Sequence, residues 1–371
     1  MRQTHKGGTI SVADHTGAAP IYRLACALQA ALLGLLLVAG TASAADRFPS
    51  AEWDHVAPAE AGWSDQKLAV ARAWSEQMHS TAVMIIHHGA VVAEWGDTVK
   101  RTELASVRKS LLSALIGIAV SEHKISLTNT LAELNIDDNP PSLTETEKQA
   151  TVQMLLEARS GVYHAALYET AWMAEKRPPR GSHAPGTFWY YNNWDFNALG
   201  TIYERATGIG IYDAIDRLIA KPIGMQDYRP EDGAYFTGPA SIYRAYPLRM
   251  SARDLARFAL LYLNHGAWRG HQVVPAEWVH ESTQPYSFSN VGGGTGYGYL
   301  WWTAGNQPSA LPPGSFFAQG AGGQFAFVIP AFDLVIVSRV DRDLHLPEPV
   351  LHEGLQFARL VFAAGGLGQS P

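Results

Sequence analysis

β-rich runs sit at both ends of this chain with a long helix-prone stretch between them, so a single sheet forms only if the two ends meet. Thr81 to Asp97 (TAVMIIHHGAVVAEWGD) holds two β-rich runs divided at Gly89-Ala90, a hairpin signal. From Tyr297 onward come YGYLWW, FFAQG, QFAFVIP and LVIVSRV, separated by turns rich in Gly, Pro and Asp. Between the ends, Leu104 to Ser121 reads as a very apolar helix. Residues 125–230 read as mostly helical, with loops at 138–141 and 177–186, and Ser251 opens a helix reaching about Asn264. Ser64 reads as the N-cap of a helix over 65–78, and residues 350–364 as a closing amphipathic helix. The expected fold is α+β: an antiparallel β-sheet flanked by helices, built from both chain ends, with a large all-helical insertion at about 125–230.

Apolar residues make up 47% of the 371 and charged residues 17%, enough to bury an ordinary core and to exclude a largely disordered chain. A net charge of −6 gives no footprint for nucleic acid, and a single cysteine, Cys26, excludes a disulfide scaffold and a Cys-based zinc site. Leu24 to Gly40 is nearly all apolar, follows Arg2, Lys6 and Arg23, and precedes Ala42-Ser43-Ala44. That order is the one of a secretory signal peptide. The expected organisation is therefore a signal peptide over 1–44, a lead-in over 45–63, a folded domain over 64–364 and a tail over 365–371. The mature product is expected to be periplasmic or secreted, with no stable membrane anchor.

Ser-x-x-Lys occurs three times. Ser64-Asp65-Gln66-Lys67 is explained by a helix cap and a surface lysine, and Ser121-Glu122-His123-Lys124 by the polar end of a helix. Ser106-Val107-Arg108-Lys109 instead opens the most apolar helix after the leader, so its serine and lysine enter the interior together. Positions i and i+3 share a helix face. A partly desolvated lysine has its pKa pushed down and serves as a proton acceptor, which a serine hydroxyl needs to become a nucleophile. The helix end and the serine's own N–H favour a developing oxyanion.

Downstream, Pro185-Gly186 precedes Tyr190-Tyr191-Asn192-Asn193 and a helix ending near Thr207-Gly208. Ser106-x-x-Lys109 at the head of an apolar helix followed by this PG…Y-x-N…LG pattern resembles the serine β-lactamase-like superfamily. The likeness is to class C β-lactamases, related esterases and 6-aminohexanoate-dimer hydrolases. Leu155-Leu156…Ser160-Gly161, Pro222-Ile223-Gly224-Met225 and Ser251-Ala252-Arg253-Asp254 extend it over about residues 60–364. Two registers, Tyr190/Asn192 and Tyr191/Asn193, fit the tyrosine motif, and the family's spacing to Gly200 selects Tyr191 and Asn193. The resemblance implies that Tyr191, its phenol lowered by the neighbouring ammonium, shares proton transfer with Lys109. It also implies that Asn193 bonds Lys109 and a substrate carbonyl.

Where the family carries Lys-Thr-Gly or a His-x-Gly variant, this chain has Ala318-Gln319-Gly320, followed by Ala321-Gly322-Gly323. By resemblance, Gly320 and Ala321 form the oxyanion site, the Ala321 N–H joining that of Ser106, with Ala318 and Gln319 beside it in the cleft. Ala318 offers no cation to grip a carboxylate, which favours ester or amide substrates over β-lactams.

No G-x-S-x-G elbow, Walker loop, G-x-G-x-x-G or H-E-x-x-H is present, and Gly292-Gly293-Gly294 reads as a surface loop. His87 and His88 are expected on one strand, where neighbours point to opposite faces, which argues against joint metal ligation. Tyr163 is a candidate cleft residue, with His164 and His183 weaker ones. Of Trp301 and Trp302, one is expected to face the core and the other the cleft. The function implied is an exported serine hydrolase using no metal or organic cofactor. A β-lactamase or D-alanyl-peptidase and a non-catalytic penicillin-binding-type protein stand as alternatives.

Overall fold

A computed structural model describes residues 48–289, 295–304 and 311–368. The expected signal peptide at 1–44 and the Gly292–Gly294 run lie outside the described residues. The chain divides into two units, Met1–Ala45 and Asp46–Pro371, and the second is the one described below.

Its main sheet has eight antiparallel strands: β1 (Ala82–His87), β2 (Ala90–Gly96), β3 (Ser287–Phe288), β4 (Gly296–Tyr297), β5 (Trp302–Thr303), β6 (Phe316–Gly320), β7 (Gln324–Ile329) and β8 (Leu334–Arg339). Their order, β2-β1-β8-β7-β6-β5-β4-β3, brings the early hairpin against the last strand. The two chain ends thus share one sheet. The β1–β2 turn is His88-Gly89, both with positive φ (49° and 72°), the backbone that a two-residue hairpin loop with the strands' own twist requires. The lead-in runs beside this hairpin, where Val56 N donates to Val91 O and Val91 N to Asp54 O.

Strand alternation makes two cores. Val83, Ile85, Phe325, Phe327 and Ile336 face α1 (Asp65–Gln77) and the C-terminal helix Leu351–Ala364, whose Leu68, Ala71, Phe357 and Val361 cover them. Met84, Ile86, Val328, Val335 and Val337 face the opposite way, into the larger core containing α2 (Arg108–Ser121), α3 (Asn193–Thr207) and α4 (Ala252–Leu263). Because both faces are covered, β1, β7 and β8 read as nearly unbroken apolar runs rather than alternating ones.

Regular structure within 125–230 is helical: Val152–Leu156, Ala171–Lys176, α3 and Ile211–Ile215, with short 3-10 and π turns. Less of it is helix than the periodicity predicts. Polar side chains take over backbone donors: Asp137 Oδ1 accepts from the Asp138 and Leu143 N–H groups, and Glu147 Oε2 from that of Thr144.

A second small pairing fixes the approach to the serine. Thr102–Glu103 pairs with Arg249–Met250, and Leu104 N donates to Leu248 O. From β8, the buried Arg339 donates to Met250 O, Thr102 Oγ1 and Glu103 O, locking this segment onto the sheet.

Candidate active site

Ser106 stands in a 3-10 turn (Ala105–Val107) that runs directly into α2. Ala105 has φ +47°, a left-handed backbone uncommon for a residue with a Cβ, and this bends the chain so that the serine heads the helix. One helical turn on, Lys109 is buried, its Nζ 2.7 Å from Ser106 Oγ and 2.8 Å from Tyr191 OH. The amine also lies over the rings of Tyr191 (4.4 Å) and Phe196 (4.7 Å). Ser106, Lys109 and Tyr191 are thus brought within hydrogen-bond reach of one another through the lysine.

Burial, with the neighbouring Arg108 charge second, holds the Lys109 amine well below its ordinary range. The phenol moves the other way. Burial pushes Tyr191 up to about 12, outweighing the lowering effects of the Ser106 hydroxyl and Arg108. This corrects the expectation of a tyrosine activated by a lysine ammonium. Burial disfavours the charged form of each group, the ammonium of Lys109 and the phenolate of Tyr191 alike, and so moves the two in opposite directions.

Tyr190, the other register, turns away, and its OH donates to Met173 O at 2.7 Å. Asn192, not Asn193, caps α3, accepting from Trp194 N. Asn193 does not reach Lys109 as expected: its Nδ2 donates to Tyr168 O at 2.5 Å and its Oδ1 has no hydrogen-bond partner. As the first residue of α3 it is rotated away from the lysine toward the 160s loop.

β6 closes the other side. A Cβ built on Gly320 would stand 2.5 Å from Leu104 O and 3.0 Å from Ser106 N, so only glycine lets this strand end pass so close to the serine. The β6–β7 turn that follows needs positive φ at Gly322 (79°) and Gly323 (76°). Gln319, Gly320 and Ala321 line a cleft of about 320 Å³ with Ser106 and Tyr191. Ala318 does not. Strand alternation turns its methyl into the core, where it is 1% exposed, so position 318 presents nothing to the cleft.

The remaining walls are apolar or neutral. Trp189 and Trp302 form one side, Trp302 lying nearly parallel to Tyr191 (centroids 5.5 Å apart, 24° between planes). Thr170, Trp172, Met173 and Leu351 complete the lining. Among the described residues, no charged side chain lines this cleft. Trp301 faces the core and Trp302 the cleft, the division strand alternation predicts. Tyr163, a candidate for the cleft, does not line it: it is buried, its OH 3.2 Å from His183 Nδ1. His183 stacks on Phe188, and neither it nor His164 lines the cleft. Nothing in the sequence of the run Thr170–Met173 distinguishes a cleft helix from a packed one. No group of three or more acidic, histidine or cysteine side chains suited to a metal occurs among the described residues.

Comparison with known proteins gives a consistent result. A family model described as Beta-lactamase matches residues 65–343. An uncharacterized protein of Alkalihalophilus pseudofirmus is 24% identical over 293 residues, 69% of this chain and 82% of that one. Esterase EstB of Burkholderia gladioli matches locally, 46% identical over 46 residues, 12% of each chain. Among solved structures, a provisionally assigned 6-aminohexanoate-dimer hydrolase from Bacillus anthracis superposes with a TM-score of 0.63 at 21% identity, covering 87% of this chain and 89% of that one. A β-lactamase from Mycobacterium bovis gives 0.57 at 23%, covering 81% and 100%. At these identities the structural likeness speaks to the fold.

Proposed function

The chain belongs to the beta-lactamase family, and on that premise we propose that it is an exported serine hydrolase cleaving a small neutral ester or amide through an acyl-enzyme on Ser106. The observation that carries this reading is the contact of one buried lysine, without an ion pair among the described residues, with both Ser106 Oγ and Tyr191 OH at a cleft that no described charged side chain lines.

In this mechanism the neutral Lys109 amine takes the Ser106 proton while Oγ bonds to the substrate carbonyl carbon. The N–H groups of Ser106 and Ala321 hold the resulting oxyanion, a role for which the Gly320 approach brings the strand end to the serine. As the tetrahedral species collapses, Tyr191 gives its proton to the departing alkoxide or amine and is reprotonated by Lys109. An alcohol or amine leaves, and the acyl group stays on Ser106. Water then enters with the same groups acting in reverse, its proton passing to Lys109, and the acid is released with Ser106 restored.

Neutral substrates follow from the walls. A carboxylate entering this cleft would lose water without gaining a charged partner. Export rests on the sequence alone, on the basic, apolar and small-residue order of residues 1–44.

Hydrolysis of short-chain nitrophenyl esters, linear amide oligomers and nitrocefin by the purified protein and by Ser106→Ala tests the reading. Ester or amide turnover lost in the variant is the expected result. Turnover of nitrocefin at a higher kcat/KM than every ester and amide would overturn the substrate class, and ester turnover undiminished in Ser106→Ala would overturn the nucleophile.

A further inference from the structure

Between Ser106 and Lys109 lies Arg108, 1% exposed, whose guanidinium no part of the mechanism above uses. Buried arginines ordinarily face a carboxylate. This one has no ion pair among the described residues. Its Nη1 donates to Ala105 O at 2.7 Å, and its Nε and Nη2 have no protein acceptor. Instead it lies between two rings, 4.9 Å from the centroid of Tyr168 and 5.1 Å from that of Tyr246.

Two consequences meet in this one side chain. The carbonyl it holds belongs to Ala105, the left-handed residue that bends the chain into the serine turn. A charge-assisted bond on that carbonyl supports a backbone conformation that the residue does not favour by itself. The same group is a cation next to Lys109 in the chain, with no ion pair among the described residues. The Tyr191 phenol, the Ser106 hydroxyl and the Phe196 ring face the lysine, and the Arg108 charge acts on it. Tyr246 and Tyr297 stand behind Tyr191, and Asp195 is buried on Ser160 and Asn192. Burial raises the Asp195 carboxyl well above its ordinary range, against the opposing hydrogen bonds from Ser160 and Asn192.

We propose that Arg108 is a positioning residue of the Ser106 site: its guanidinium clamps the Ala105 carbonyl under the serine turn, and its charge biases Lys109 toward the neutral proton acceptor. The proposal rests on the reading of Lys109 as the base for Ser106. It makes Arg108 act through its neighbours, not on substrate.

The test is the rate of covalent labelling of the full-length protein by a fluorophosphonate, followed against pH. In that reaction Ser106 Oγ bonds to phosphorus, fluoride leaves and the serine proton passes to Lys109, so the acid limb of the profile reports the lysine. Arg108→Met removes the charge and the clamp. It is expected to move the acid limb up by about one pH unit, a roughly tenfold loss of rate along that limb. Arg108→Lys keeps a charge but not the planar fork, and is expected to lower the plateau rate while leaving the limb where the wild type has it. Near-ultraviolet circular dichroism checks that each variant is folded. A folded Arg108→Met with an unmoved limb overturns the proposal. Should Arg108→Met fail to fold, a limb displaced in Arg108→Lys overturns it equally. Absence of labelling at Ser106 in the wild type would instead strike the acyl-enzyme reading, so the two failures are distinguishable.

Discussion

Gly320 and Ser106 approach so closely that a single added carbon on the glycine would stand 3.0 Å from the serine nitrogen and 2.5 Å from the carbonyl of Leu104. That approach joins the late strands to the start of α2. It also puts Ala321 and the serine on one wall of the cleft. Gly320→Ala therefore pushes β6 away from the serine turn. The expected result is a loss of about 100-fold or more in kcat, the scale of losing one oxyanion donor, measured on a nitrophenyl ester with the melting temperature followed alongside.

Lys109 is required as a base and not as a charge. Lys109→Arg keeps a cation but cannot lose its proton at any working pH. Both Lys109→Arg and Lys109→Ala are expected to lower kcat/KM by about 100- to 10,000-fold, with no recovery in Lys109→Arg as pH is raised to 10. Recovery of the arginine variant to within tenfold of wild type would contradict the role.

The depressed amine also has a stability consequence. A lysine whose folded pKa lies below its unfolded value leaves the unfolded state holding more protons between the two, so stability rises with pH across that window. Lys109→Met removes this penalty. At pH 7 it is expected to unfold at a higher urea midpoint, with an unfolding free energy larger by roughly 0.5–2 kcal/mol, the advantage shrinking as pH approaches about 10.4.

Trp302 supports Tyr191 and walls the cleft. Trp302→Ala is expected to raise KM for aromatic esters by about five- to tenfold, the worth of roughly 1 kcal/mol of ring contact, and to affect acetyl esters less. Steady-state kinetics on a paired ester series measures this.

Phe327 lies at the centre of the core beneath the terminal helices and is fully buried. Phe327→Ala is expected to cost about 3–5 kcal/mol in denaturant unfolding without moving the cleft residues.

Much of this site was legible because it is local. Ser106 and Lys109 sit at a spacing that one helical turn converts into contact, and the apolar run after them fixes which copy of the motif goes inward. The sheet was legible from unbroken apolar runs at the two ends. What stayed hidden depends on which way a side chain points once the chain is folded. Asn193 differs from Asn192 only by one step at a helix start, yet one caps the helix and the other reaches Tyr168. Ala318 lies beside the cleft residue Gln319 in sequence and faces the interior in space, and Tyr163 is buried as well. The direction of the Tyr191 shift is a balance of burial against neighbours, and no spacing in the sequence reveals it.

The central claim, that Ser106 is the nucleophile, is tested most directly by intact-mass analysis after exposure to a fluorophosphonate, with the adduct located by peptide mapping. One adduct per chain, mapped to Ser106 and absent from Ser106→Ala, is the predicted result. An adduct of equal yield in Ser106→Ala, or one mapped to another residue, would contradict it.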